Sequence, residues 1–222
     1  MRDRKRDELQ QPSLDRLLLD DLAETEEKLL FAQAHCEGVR FSGIETGDIG
    51  LAGATLLQCE LIDWRVDETD LTGARFAETR IRGLNAPSFK ARRTTWRDVE
   101  IEASRLGAAE LFDSELNRVL VADSKLGWVN LRAANLTDVL FRNCHFDELD
   151  LGGAKVLRVA FRDVTADRLI MTGTQARHLD LRGLDLRAIE GLEGLRGATI
   201  SEWQLASMAE MLAGEFGIRV EG

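Results

Sequence analysis

Apolar and polar positions recur along this chain with a period of five. Take every residue whose number leaves remainder one on division by five, from Phe31 to Leu186. The column opens Phe31, Cys36, Phe41, Thr46, Leu51, Leu56 and Leu61, and none of its 32 members is charged. A second column, two residues earlier in each group of five, runs from Ala34 to Ile189 and is also free of charge over 32 positions. The column between them carries 18 charges in 32 places, among them Arg40, Glu60, Asp70 and Arg80. Helices repeat at 3.6 residues and strands at 2, so neither period accounts for this. Two inward side chains in every five describe a short extended step followed by a corner. Four such steps return the chain to its starting side, a square coil of about 20 residues of the kind that internal repeats build. Eight coils fit between residues 31 and 190. Stacked like neighbouring strands, they make a rod roughly 38 Å long, at about 4.8 Å per rung.

A fixed interior cannot hold two large side chains at every corner, so bulk in one column should meet smallness in the other. Leu84 precedes Ala86, Phe89 precedes Ala91 and Val164 precedes Ala166, as required. Trp64 beside Val66 strains the rule. The segment Asn85-Ala86-Pro87-Ser88-Phe89 is the expected site of distortion, because Pro87 lacks a ladder donor. Glycines gather at one outward position of the pentad, including Gly38, Gly53 and Gly183, where a corner with positive φ would be cheap.

Ala109-Glu110-Leu111, Ala134-Asn135-Leu136, Leu149-Asp150-Leu151 and Leu184-Asp185-Leu186 resemble the A(D/N)LXX signature of the pentapeptide repeat family. The similarity runs over residues 31–190 without a register slip. It implies an all-β solenoid, a right-handed quadrilateral β-helix of about eight coils; handedness comes from the resemblance and not from the period. It also implies a non-enzymatic protein. The quinolone-resistance members of the family (the Qnr type) are regarded as binding DNA gyrase by presenting an acidic rod in place of duplex DNA.

Stacked coils leave open hydrogen-bonding edges at both ends, and these must be covered. Residues 1–12 are expected as a disordered tail and 13–30 as an N-terminal helical cap, with Leu14, Leu17, Leu18 and Leu22 on one stripe. The register breaks after Ile189. Over 191–222 the capping box Ser201-Glu202-Trp203-Gln204 opens a second cap, a helix to about Ala213. Leu205, Met208, Leu212 and Phe216 form its apolar stripe, and Ile218-Arg219-Val220 reads as a short strand. This helix-then-strand tail resembles the C-terminal dimer module of the Qnr type, so homodimer and monomeric cap both stand as readings.

Composition narrows the function classes. With 44% hydrophobic and 31% charged residues the chain is an ordinary globular sequence. No apolar run approaches the roughly 18 residues needed to span a bilayer, so a membrane role is not expected. The N-terminus lacks the apolar core of a secretory signal, and three scattered cysteines do not make a disulfide framework, so a cytoplasmic location is expected. A net charge of −10 argues against direct nucleic-acid binding. Cofactor, metal and catalytic sites are expected to be absent. His35, His145 and His178 sit on separate coils, Cys36, Cys59 and Cys144 occupy inward columns, and no phosphate-binding or nucleophile motif occurs.

Function therefore belongs to the outer faces and a protein partner. One face, containing Glu45, Asp48, Asp67, Glu68, Asp147 and Glu148, carries the whole acidic excess of the coils and is the candidate gyrase-facing surface. A neighbouring face alternates Arg40, Glu60, Arg80 and Glu100, as cross-strand ion pairs would. Leu120, Leu140 and Ala160 fall in one outward column, with Trp128 also predicted outward. They form a candidate apolar patch for a general interaction scaffold with no topoisomerase role, unless a terminal segment shields them.

Overall fold

The computed structural model describes residues 8–221; the first seven residues of the expected tail lie outside that range. The chain forms an all-parallel β-solenoid of about nine turns. The inward columns dictate it. Leu111, Leu131 and Leu151 are buried above one another, and each donates its N–H to the carbonyl of Asn130, Asp150 and Ile170 on the next coil, at 2.8, 2.8 and 2.9 Å. Strand pairing advances by 20 residues throughout the body, as in Arg40↔Glu60↔Arg80 and Glu115↔Asn135↔Lys155. One sheet of 12 strands and one of 8 enclose a continuous apolar core. Within that core Phe76 stacks on Trp96 at 4.2 Å and Phe141 on Phe161 at 5.2 Å, at the rung spacing of the ladder.

The small column has its own chemistry. Cys59, Thr79 and Cys144 each point the Sγ or Oγ at two carbonyls, one two residues back and one 23 residues back. Serine or threonine would satisfy that site as well as cysteine, so these thiols are packing groups. Three of every four corners place a residue in the left-handed region, and most of these are not glycine: Asp63, Asp98, Asp123 and Asn143 are examples. Short polar side chains tolerate that region best after glycine, so the corners do not depend on Gly. Gly183 lacks positive φ, contrary to the expectation from its position. At Pro87 the distortion is local. The ladder between Arg65–Asp70 and Asn85–Lys90 lacks the Val66–Ala86 pairing that its neighbours keep at the equivalent position.

Both ends depart from the sequence reading. Residues 8–20 contain no helix, and the expected cap over 13–30 is reduced to a single 3-10 turn at Glu27–Leu29. Residues 8–22 instead run as an extended strap back along the outside of the rod. Gln10 donates its backbone N–H to His178, Gln11 bonds Asp180, Ser13 donates to Asp138, and Arg80 donates to the Leu17 carbonyl. The strap then enters the first rung as strand Ala23–Thr25, paired with Val39–Phe41. Length forces this. From His178 to Gly38 is seven rungs, about 34 Å at strand spacing. The 13 steps from Gln10 to Ala23 reach about 20 Å as a helix but about 43 Å extended. Phe31, predicted inward, is exposed because the coil has not yet closed there.

At the other end the capping box forms. Ser201 Oγ accepts from the Gln204 N–H at 3.2 Å, and Gln204 Oε1 accepts from the Ser201 N–H at 2.8 Å. Gln204 Nε2 then donates to the Leu181 and Leu184 carbonyls, both at 2.7 Å, closing the open edge of the last coil. The predicted single helix is broken at Met208 into α1 (Glu202–Ser207) and α2 (Ala209–Glu215). The break splits the expected stripe: Met208 and Leu212 pack on the core, whereas Leu205 and Phe216 face outward. Residues 218–220 form no strand. No helix among the described residues is long and apolar enough to cross a membrane.

Candidate partner-binding faces

The eight-stranded sheet carries the predicted acidic face, and its rungs can be read in order. Glu45, Asp48, Asp67 and Asp147 are exposed, while Glu68 and Glu148 are half-buried. Glu68 accepts from Lys90 Nζ at 2.5 Å, and that bond holds its carboxyl below the ordinary carboxylate range. Glu148 lies 3.6 Å from Arg168. These six residues do not make one stripe. They form two clusters, at the 45–68 and 147–148 rungs, separated by three rungs whose one carboxylate on this sheet, Glu110, is paired with Arg92.

Those three rungs carry Arg105, Lys125 and Trp128 instead. Sequence reasoning missed the interruption, although the signal was present: Arg105 and Lys125 share the column of Glu45 and Arg65. A cleft of about 170 Å³ opens here, bounded by Arg105, Lys125, Trp128, His145 and Asp147, with Gly107 and Gly127 as its floor. A side chain at either floor position is excluded. A Cβ on Gly107 would lie 2.4 Å from the Pro87 carbonyl oxygen, and one on Gly127 2.2 Å from that of Gly107.

The neighbouring alternating face behaves as expected. Glu60, nearly buried, accepts from Arg40 at 2.7 Å and lies 3.5 Å from Arg80, which reaches Glu100 at 2.7 Å. The predicted apolar patch on this side does not exist as a free surface. Ala160 is 1% exposed and Leu140 8%, and Leu120 is half-buried, because the strap passes over these rungs between its anchors at Asp180, Asp138 and Arg80. Trp128, 61% exposed, lies apart from them on the eight-stranded sheet.

Chemistry elsewhere is sparse among the described residues. Cys36, Cys59 and Cys144 are buried, and burial pushes the Cys59 thiol up to about 11. The donor atoms of His145, Asp147 and Asp167 lie within 4.8 Å of one another and could hold a cation. They are already engaged, His145 Nδ1 with Thr165 at 2.8 Å and Asp167 with Arg187 at 3.1 Å.

A coil of this period, with paired inward columns and a parallel 20-residue register, defines a pentapeptide-repeat β-helix. The family model for pentapeptide repeats matches residues 124–156. Among the solved structures that are similar are two of trypsin-treated variants of QnrB1, a plasmid-mediated fluoroquinolone resistance protein. The first is 17% identical with a TM-score of 0.38, covering 90% of this chain and 96% of the other. The second is 16% identical with a TM-score of 0.30, covering 90% and 100%. A search of curated proteins found no match.

Proposed function

We propose that this chain is a non-enzymatic binding solenoid whose protein partner is DNA gyrase or a related type II topoisomerase. The acidic ends of the eight-stranded face take the place of duplex DNA, and the outcome is protection from a quinolone or a toxin. The carrying observation is the pair of acidic clusters, Glu45/Asp48/Asp67/Glu68 and Asp147/Glu148, fixed on one rigid ladder. From Glu68 to Glu148 is four rungs, about 19 Å. Fixed anionic groups at such spacing attract a cationic, DNA-binding surface and steer its approach. The likeness of the repeats to the Qnr type supports the choice of partner. Mimicry is confined to the ends of the face, since its centre is cationic.

The test is supercoiling by purified gyrase, with and without a quinolone. Micromolar protein should inhibit supercoiling or relieve the drug's inhibition, and Asp48→Lys with Asp67→Lys should weaken that effect at least tenfold. No effect of the unmodified protein rejects the topoisomerase and leaves a general interaction scaffold. A homodimer through the C-terminal segment is a second reading, favoured by the exposure of Trp203, Leu205, Phe216, Ile218 and Val220. Light scattering behind a sizing column should report twice the monomer mass, falling to one with Leu205→Asp and Phe216→Asp. A monomer for the unmodified protein rejects it.

A further inference from the structure

The cationic centre of the eight-stranded face is unexplained by mimicry of a polyanion. We propose that the cleft over Gly107 and Gly127 is a second binding site, which receives a short extended acidic segment of a protein partner, with carboxylates on Arg105 and Lys125 and an apolar side chain against Trp128.

About half of the guanidinium and ammonium groups on the coils are matched by carboxylates, among them Arg40, Arg80, Lys90, Arg92, Arg158 and Arg182. Arg105 and Lys125 are exposed, and among the described residues neither lies within ion-pair distance of a carboxylate. They stand on adjacent rungs, paired Arg105↔Lys125, so their charges rise from one ladder about 4.8 Å apart. The glycines leave backbone at the bottom of the cleft between the two cations and Trp128, and the one carboxylate lining it, Asp147, closes its far end over Gly127, with Oδ2 3.5 Å from where a Cβ there would lie. Trp128 keeps 61% of its surface in water, a large apolar area beside two unpaired cations.

The size of the site selects the ligand class. Its cationic stretch is bounded by Asp67 and Glu68 on one side and by Asp147 and Glu148 on the other. From the Asn85 rung to the Lys125 rung is about 10 Å, the length of three extended residues. A nucleic-acid strand continuing in either direction would bring phosphates onto those carboxylates. A peptide with acidic residues two apart presents both on one side, roughly 7 Å apart, and ends before the acidic rungs. This site does not depend on the identity of the partner proposed above.

The experiment is fluorescence anisotropy on the purified full chain with three labelled probes: an octapeptide containing Asp-Ser-Asp-Ser-Phe, whose acids and Phe share one side when extended, its Asn-Ser-Asn-Ser-Phe counterpart, and a twelve-nucleotide oligo-dT. Saturable binding of the acidic peptide is expected, at least tenfold tighter than the neutral one and weakened by salt. Arg105→Ala with Lys125→Ala should reduce it tenfold or more, and Trp128→Ala severalfold, with unchanged thermal melting; Asp48→Lys with Asp67→Lys should not weaken it. Peptide binding that survives the Arg105/Lys125 double variant, tighter binding of oligo-dT, or no saturable peptide binding up to millimolar concentration would each overturn the proposal. The same variants in the supercoiling assay separate the two sites. Loss of peptide binding with the gyrase effect intact, or the reverse, assigns each activity to its own rungs.

Discussion

The backbone N–H of Ser13 donates to Asp138 Oδ1 at 3.0 Å, across 125 residues of sequence. The same carboxylate takes two bonds from Arg158, at 2.7 and 2.6 Å. One side chain therefore ties a coil corner, the next rung and the strap together. Asp138→Asn keeps the shape but weakens the charged bonds, at a cost of about 1–3 kcal/mol. Hydrogen exchange should show residues 8–22 opening first in this variant, while the amides of the coils stay protected. Exchange equal to that of the unmodified chain would mean that the strap is held elsewhere.

Acid should loosen the strap by the same route. The Arg158 bond, with the Ser13 N–H, holds Asp138 below the ordinary carboxylate range. Asp180, which accepts from Gln11, is also lowered: burial pushes it up, but bonds from Arg182 and Gln11 outweigh that. A carboxylate with a depressed folded pKa stabilises above its unfolded value of about 3.9, and that contribution is lost as pH falls through the folded value. The strap should therefore remain docked from neutral pH to about pH 4 and release below it. Dye binding to the uncovered Leu140 and Ala160 rungs measures this, and release at pH 6 would contradict it.

Two buried tryptophans should respond differently to the same substitution. Trp96 Nε1 donates to Thr94 Oγ1 at 2.7 Å and its ring stacks on Phe76, whereas Trp64 Nε1 has no hydrogen-bond partner. Trp96→Phe removes a made bond, while Thr94 Oγ1 keeps the Ala91 carbonyl and Ser114 Oγ as partners, so the cost beyond the lost volume is about 0.5–1.5 kcal/mol. Trp64→Phe removes an orphan and should cost less. Melting temperatures of the pair decide it; equal losses would show that volume alone matters.

The Glu60 carboxylate bridges Arg40 and Arg80, and Arg80 also donates to the Leu17 carbonyl. Glu60→Ala should therefore destabilise by about 1–3 kcal/mol and raise exchange in the strap around Leu17. A loss of stability with no change in the strap would separate the two roles of Arg80.

The three thiols should be inert in the folded chain. Burial raises all three, Cys59 to about 11, so the nucleophilic thiolate is scarce at neutral pH. A thiol reagent at pH 8 should titrate none until denaturant is added, then three. Rapid labelling of Cys144 in the native state would refute the packing role.

The repeat was legible because it is local and redundant. Each inward residue repeats the demand of the one 20 positions away, so Leu111, Leu131 and Leu151 could be assigned a common wall, and the Ser201–Gln204 box a helix start, from spacing alone. The strap was not legible. Leu14, Leu17, Leu18 and Leu22 fit a helical stripe, and only the distance from His178 to Gly38 rules a helix out; that distance exists once the coils have stacked. The same stacking decided the candidate faces. Sequence supplied the acids at 45, 48, 67, 68, 147 and 148. Their division into two clusters around Arg105 and Lys125, and the burial of Leu140 and Ala160, come from which rungs lie between and what the chain's own end covers. Period fixes which side of the wall a residue occupies, whereas solvent access to the outer side depends on segments remote in sequence.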